Sequence, residues 1–236
     1  MVGFDHIYIY DNNNDKTKYV GDCINNAILS KITIINVHNK IAYQSKAYND
    51  CYNRFGKEYD WIAFIDVDEF FMYDRKKYKS IKDFVSESMF KNAVAIRPCW
   101  QIYGDDDMIY GDISVPVWKR ITKPLQSFEN RKAKCIVRTK INGLIFNSAH
   151  SPFVNCKVIG HVDTVGRKVY DKIFLSKPCY ANCYINHYIT KTLSEFCRNK
   201  IGRGDAVYGK VNIGREYYFK INRWTKQKDD YIKQFE

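Results

Sequence analysis

Glycine and proline are scarce in this 236-residue chain, at 12 and 5 residues, which excludes collagen-like repeats and Pro/Gly low-complexity sequence. No apolar run reaches the roughly 18 residues that a membrane-spanning helix needs. The opening Met1-Val2-Gly3-Phe4-Asp5-His6 has neither the basic start nor the apolar stretch of a secretory signal. These absences predict a soluble or peripheral protein in a reducing, cytoplasmic compartment. Acidic residues are outnumbered, 26 Asp+Glu against 38 Lys+Arg, and the net charge of +12 favours anionic partners: nucleotide diphosphates, nucleic acid or acidic membrane surfaces. Cysteine is not scarce, but its eight residues are scattered and read as buried or free thiols rather than a disulfide framework. Cys179, Cys183 and Cys197 lack a tetrahedral zinc spacing, so core thiols are the simpler reading of them.

What is abundant is apolar material, 45% hydrophobic and 16% aromatic, enough to bury one large core or two small ones. His6-Ile7-Tyr8-Ile9-Tyr10 reads as a strand ending in the polar run Asp11-Asn12-Asn13-Asn14-Asp15. Lys31-Ile32-Thr33-Ile34-Ile35-Asn36-Val37 reads as a second strand. Apolar residues at 41, 48, 51, 52 and 55 predict a helix closed by Gly56. The continuous run Trp61-Ile62-Ala63-Phe64-Ile65 is expected as a strand covered on both faces of a parallel sheet.

Further on, Ser80 with Asp83 and Thr192 with Glu195 read as helix caps. Ala93-Val94-Ala95-Ile96, residues 134–138 and residues 143–146 read as strands. Apolar residues at 217, 221, 224, 231 and 235 predict one amphipathic C-terminal helix with basic flanks. Alternation of strands and helices predicts an α/β fold that binds ligands beyond the carboxyl ends of its strands.

Two such ends carry chemistry. Three carboxylates leave the third strand in Asp66-Val67-Asp68-Glu69. Alternation along an extended strand would point Asp66 and Asp68 the same way, toward Mg²⁺ or Mn²⁺ shared with a diphosphate; the alternative is an acidic turn. Asp11 at the first strand end could accept a hydrogen bond from a nucleotide base, or simply sit in a solvated loop. Trp100-Gln101-Ile102-Tyr103-Gly104-Asp105-Asp106-Asp107 sets aromatics beside carboxylates, suited to stacking a sugar while a base takes a hydroxyl proton, or forming a hydrated turn. His150 and His187 follow strand-like runs and could reach a metal or phosphate, although a hydrogen-bonded structural histidine is the plainer reading of either alone.

Asp60-Trp61-Ile62-Ala63-Phe64-Ile65-Asp66-Val67-Asp68-Glu69-Phe70 resembles the signature of glycosyltransferase family 92 and its bacterial family-2-like relatives. Other segments agree in order: the stretch from Gly3 to Asn12, then Trp100 through Asp105, Lys134-Cys135-Ile136-Val137-Arg138, His150 with Pro152, and Asn186-His187-Tyr188-Ile189-Thr190-Lys191 with Glu195. Several ordered motifs are more specific than one Asp-x-Asp.

The resemblance implies a GT-A-like, Rossmann-related mixed sheet flanked by helices, with one transferase domain over residues 1–204 and a basic aromatic extension over 205–236. Relatives begin with a further strand and helix carrying an Asn-Glu pair, so the sheet is expected to be N-terminally short. The resemblance also implies an inverting transfer from a nucleotide sugar, a UDP-sugar by preference, to a glycan or lipid-linked glycan. In this expectation Asp11, Asn12 and Asp66 hold the donor. Asp66, Asp68 and His150 hold Mn²⁺ or Mg²⁺, with His187 behind them, and Asp105 or Asp107 is the base. The basic stretch 119–140 and the basic tail would touch an anionic membrane peripherally.

Three rivals stand beside this reading. A nucleic-acid-binding protein fits +12 and 19 Tyr but has no recognised motif. A metal-dependent nuclease or phosphatase would use Asp66, Asp68 and Glu69. An inactive remnant would keep the pair and lose the pocket.

Overall fold

The computed structural model describes residues 2–13, 20–201 and 213–235. Asn14 and Asp15 of the polar loop, and the expected boundary near 204, lie outside the described residues.

The chain opens with β1 (Ile7–Asp11) and β2 (Ile32–Asn36), which pair in parallel from Ile7 opposite Ile32 to Asp11 opposite Asn36. Helix α1 (Gln44–Phe55) follows and buries Ala47, Tyr48, Cys51 and Tyr52, the stripe that the apolar spacing predicts. Then come β3 (Trp61–Phe64) and β4 (Glu69–Tyr73), joined by the turn that holds Asp66, Val67 and Asp68. Ser80 caps the short α2 (Ile81–Val85) through a reciprocal box with Asp83, as its sequence indicates.

β5 (Ala95–Arg97) and β6 (Trp100–Tyr103) are followed by α3 (Val117–Arg120), β7 (Cys135–Arg138), β8 (Leu144–Phe146), β9 (Pro152–Val154), β10 (His161–Asp163) and β11 (Cys183–Tyr188). The chain closes with α4 (Leu193–Asn199), α5 (Arg215–Ile221) and α6 (Lys226–Ile232). The single C-terminal helix expected from periodicity is thus two helices, separated where Asn222 turns to extended backbone.

The mixed α/β class holds, but the strands are divided among several sheets. A four-stranded sheet runs β10-β5-β7-β3, a three-stranded one β4-β11-β6, and two pairs stand apart, β1-β2 and β8-β9. β3 is not a central parallel strand: it pairs antiparallel with β7 and, among the described residues, with nothing on its other side. Trp61, Ile62 and Ala63 accordingly stay half-buried. Among the described residues β1 likewise pairs only with β2.

Helix α1 nonetheless packs under both edges. Tyr48, Cys51 and Tyr52 form a core with Phe64, Cys135, Val137 and Phe146, and Tyr8, Tyr10 and Ile62 lie against it. A second core under the three-stranded sheet gathers Phe71, Phe84, Phe90, Ile96, Ile102 and Ile185. A third joins Leu193 and Phe196 of α4 to Tyr218 and Ile232 of α5 and α6.

Candidate functional site

Between β1 and β3 opens a cleft of ≈ 2160 Å³. Ordinary small-ligand pockets enclose roughly 300–1,000 Å³, so the cleft has room for two substrates together. Its walls run along both strands, and it is lined by Asp11 and Asn12 at one strand end and Asp66 and Asp68 at the other. Trp100, Lys132, Lys134, His150, His187 and Lys200 complete this end of it.

Asp11 is 5% exposed. Its Oδ1 accepts the Asn13 backbone N–H at 2.9 Å, an Asx turn that fixes the carboxylate at the strand end. Its Oδ2 is buried without a hydrogen-bond partner, with His38 Nε2 at 3.4 Å and equally unpartnered. A buried carboxylate oxygen left open costs free energy unless a donor arrives. Asn12 is differently placed: its side chain donates to the Lys40 carbonyl at 2.6 Å and accepts the Lys40 N–H at 3.2 Å, so both of its ends serve the loop after β2.

Asp66 and Asp68 are not on one extended strand. They sit in a tight turn closed by the Glu69 N–H donating to the Asp66 carbonyl at 3.1 Å, so strand alternation does not orient them. Each finds its own cation. Asp66 Oδ2 lies 2.9 Å from Lys134 Nζ, and its Oδ1 accepts from the Gln44 side-chain amide at 2.5 Å. Lys134 is 1% exposed and also faces Glu69 Oε1 at 3.7 Å.

Burial resists ionisation of Asp66, but the Lys134 ammonium outweighs it and holds the carboxyl below its ordinary range. Glu69, deeper and less well paired, is pushed well above its ordinary value by burial. Burial also opposes the charge on Lys134, yet Asp66 and Glu69 together keep it protonated far above the usual range. Asp68 reaches Lys200 Nζ at 3.4 Å and His187 Nε2 at 3.6 Å.

Both histidines are neutral. Burial lowers His187 to about 4 and His150 to about 3. His150 Nδ1 lies 3.1 Å from the Ala133 carbonyl, a contact that protonates Nδ1 and leaves Nε2 as the open acceptor. The indole of Trp100 stands between them, 4.4 Å from the His187 ring and 5.2 Å from that of His150. Its Nε1–H is buried without an acceptor.

Asp105 and Asp107 lie elsewhere. Asp105, 4% exposed, accepts from the Tyr218 hydroxyl and pairs with Lys228 Nζ at 2.7 Å. Asp107 takes the same ammonium at 3.0 Å. Neither lines the cleft, and their partners belong to α5 and α6, which makes them the clasp of the C-terminal helices.

The basic stretch 119–140 is also not one exposed face. Arg120 pairs with Glu195, Lys132 with Glu129, and Arg138 caps the Phe90, Lys91 and Ala93 carbonyls. No helix among the described residues is long and apolar enough to cross a membrane. None of the eight cysteines is in a disulfide.

A metal-ion fit can be judged from the donor set. Among the described residues no group of three or more His, Cys, Asp or Glu is gathered closely enough to hold an ion. Both carboxylate oxygens of Asp66 are already engaged, by Lys134 and Gln44, although the side chain is 34% exposed. The residues therefore do not fit a protein-built divalent site at Asp66.

Asp11, Asn12, Asp66, Asp68, His150 and His187, the residues that the sequence singles out, all line this cleft; Gln44 and Lys200 carry no such signal, and Lys134 and Trp100 belong to sequence motifs that do not show them as neighbours of these side chains. Lys134 left one signal, a lysine directly before the apolar run Cys135-Ile136-Val137, where an ammonium needs a buried partner. In comparisons with known proteins, the family model described as glycosyltransferase family 92 matches residues 1–152. No curated protein matches the chain.

Proposed function

The chain belongs to glycosyltransferase family 92, and we propose that it transfers a sugar from a nucleotide diphosphate donor, a UDP-sugar, to a glycan hydroxyl with inversion at the anomeric carbon. That it is a glycosyltransferase, with a sugar donor and a glycan acceptor, follows from the family. The observation that carries the finer reading is the convergence of Asp11 and the Asp66–Glu69 turn on one cleft, with Asp11 Oδ2 buried, making no hydrogen bond and met by His38 Nε2 at 3.4 Å.

In this reading the base or ribose of the donor supplies the missing hydrogen bond to Asp11 Oδ2. The diphosphate lies toward the Asp66–Glu69 turn, where Lys132 and Lys200 line the cleft and meet the negative charge that grows on the leaving group. Trp100 and His150 line the same end; in this reading the unpaired Trp100 Nε1–H is a donor for a phosphate oxygen and His150 Nε2 an acceptor for a hydroxyl. The acceptor oxygen attacks the anomeric carbon as the bond to the diphosphate oxygen breaks, and its proton passes to a base. Asp105 and Asp107 do not line the cleft, and this reading gives that role to neither. No step is assigned to a divalent ion.

The acceptor is a glycan, free or lipid-linked. A peripheral position at an anionic membrane is supported by the net charge of +12, while the apolar faces of α5 and α6 are spent on the core with α4.

The test is donor binding in a thermal-shift panel of nucleotides and nucleotide sugars, repeated with Asp11→Ala. A ligand that binds only the folded state raises Tm. UDP or a UDP-sugar is expected to raise it in the wild type, and Asp11→Ala to weaken binding about tenfold, the worth of one buried hydrogen bond to a charged group. The anomeric configuration of the product, read by NMR, checks inversion. An unchanged affinity in Asp11→Ala removes the assignment of the nucleoside end.

A further inference from the structure

The Asp66–Glu69 turn combines two observations that pull against a bound divalent ion. First, each aspartate already has an ammonium of its own: Lys134 Nζ at 2.9 Å from Asp66 Oδ2, and Lys200 Nζ at 3.4 Å from Asp68 Oδ2. The two aspartates are thus matched by two ammoniums, while the third carboxyl, Glu69, lies 3.7 Å from Lys134 and is pushed well above its ordinary pKa by burial. Second, the two pairs differ in kind. Lys134 is fully enclosed, reaching Glu69 Oε1 at 3.7 Å and the Tyr48 hydroxyl at 3.5 Å as well. Both oxygens of Asp66 are engaged, Oδ1 by Gln44 and Oδ2 by Lys134. Lys200 is partly exposed, its side chain at 22%, and holds Asp68 only at the longer distance.

A buried ammonium cannot be displaced into water without stranding its carboxylates. A free divalent ion must also shed part of its own water shell. At Asp66, whose side chain is 34% exposed, the ion therefore meets two oxygens already engaged, and at Asp68, 12% exposed, it meets a more loosely held ammonium.

We propose that Lys134 is a built-in cation that takes the place of a divalent ion on Asp66, dividing the Asp pair into a lysine-locked member, Asp66, and an exchangeable member, Asp68. Lys134 then acts as a positioning residue: through Asp66 and Glu69 it sets the shape and charge of the turn. The inference does not depend on the transferase reading, because it concerns cation binding by the protein alone.

The experiment uses Mn²⁺ alone as the probe, with the free-ion electron paramagnetic resonance signal as readout and circular dichroism as the check of folding. Asp66→Asn is expected to leave the Mn²⁺ affinity of the otherwise wild-type protein within about twofold. Lys134→Met is expected to raise it by about tenfold or more, since it leaves the Asp66 and Glu69 carboxyls without their shared ammonium. Lys134→Met combined with Asp66→Asn returns the affinity toward the wild type, and Lys134→Arg, which keeps the charge, produces no gain. Tenfold weaker Mn²⁺ binding in Asp66→Asn alone overturns the proposal. So does a folded Lys134→Met protein with unchanged affinity. If Lys134→Met does not fold, the Asp66→Asn measurement decides by itself. Nucleotide-sugar binding is read in a separate assay, so a failure of the transferase reading is distinguishable from a failure here.

Discussion

Asp105 and Lys228 show how one buried pair can stand in for a longer interface. Both are at least nineteen-twentieths buried, 2.7 Å apart, with the Tyr218 hydroxyl on the same carboxylate and the Asn222 side chain accepting the Asp105 N–H at 2.8 Å. Removing the Asp105 charge leaves the buried Lys228 ammonium with only the exposed Asp107 carboxylate, at 3.0 Å, as its counter-charge. Asp105→Asn is therefore expected to cost about 3 kcal/mol of stability, read as a fall in the urea midpoint, while donor binding at the cleft is unchanged. A loss below about 1 kcal/mol, the worth of an exposed pair, would show that the clasp is not what holds α5 and α6. The carboxylates of this turn were visible in the sequence as chemistry beside aromatics, and that was the limit of legibility. Lys228 lies more than a hundred residues downstream, and no local pattern links it to Asp105. Asp11 and Asp68 were placed correctly at strand ends because a strand followed by a polar turn is a local signal.

At the level of elements, the locally encoded devices survive best. The capping boxes of α2 and α4 are read straight from Ser80-Ile81-Lys82-Asp83 and Thr192-Leu193-Ser194-Glu195. What the sequence does not display is that Glu195 is also gripped by both Arg120 terminal nitrogens at 2.9 Å, a bidentate pair reaching back from α3. Burial opposes the Glu195 charge, yet Arg120 and the Thr192 cap hold its carboxyl down at about 2.

The sign follows from linkage: a carboxyl lowered in the folded state stabilises the protein above its unfolded pKa, near 4.5, and that contribution is lost as pH falls toward 2. Glu195→Gln is expected to cost about 2 kcal/mol at pH 7, with the gap to wild type narrowing from pH 4.5 to pH 2.5 in urea titrations. A gap independent of pH in that window would mean that the charge on Glu195 contributes nothing. The strand β3 was legible as an apolar segment but not in its pairing. Continuous apolar sequence is equally compatible with a central parallel strand and with an antiparallel strand whose face is covered by a helix, and here α1 provides that cover.

Across the whole molecule, the organising feature is that one helix serves two sheets. The floor formed by Ala47, Tyr48 and Cys51 lies beneath β1 on one side and β3 on the other, and the cleft between those strands carries Asp11 at one wall and Asp66 at the other. The cleft is thus a gap between two strands rather than a hollow on top of a sheet.

This arrangement has a cost that amide exchange can measure. Successive N–H groups of a strand point to alternate sides. β7 has neighbours on both sides, β3 and β5, whereas among the described residues β1 pairs only with β2 and β3 only with β7. Alternate amides of β1 and β3 should therefore exchange at rates near those of exposed loops, while Ile136 and Val137 of β7 exchange only through global opening. A UDP-sugar bound between the strands should slow the fast set and leave β7 unchanged. Uniform protection along β1 and β3 without any ligand would mean that the gap is closed in solution, and with it the route by which Asp11 and the Asp66–Glu69 turn can share one substrate.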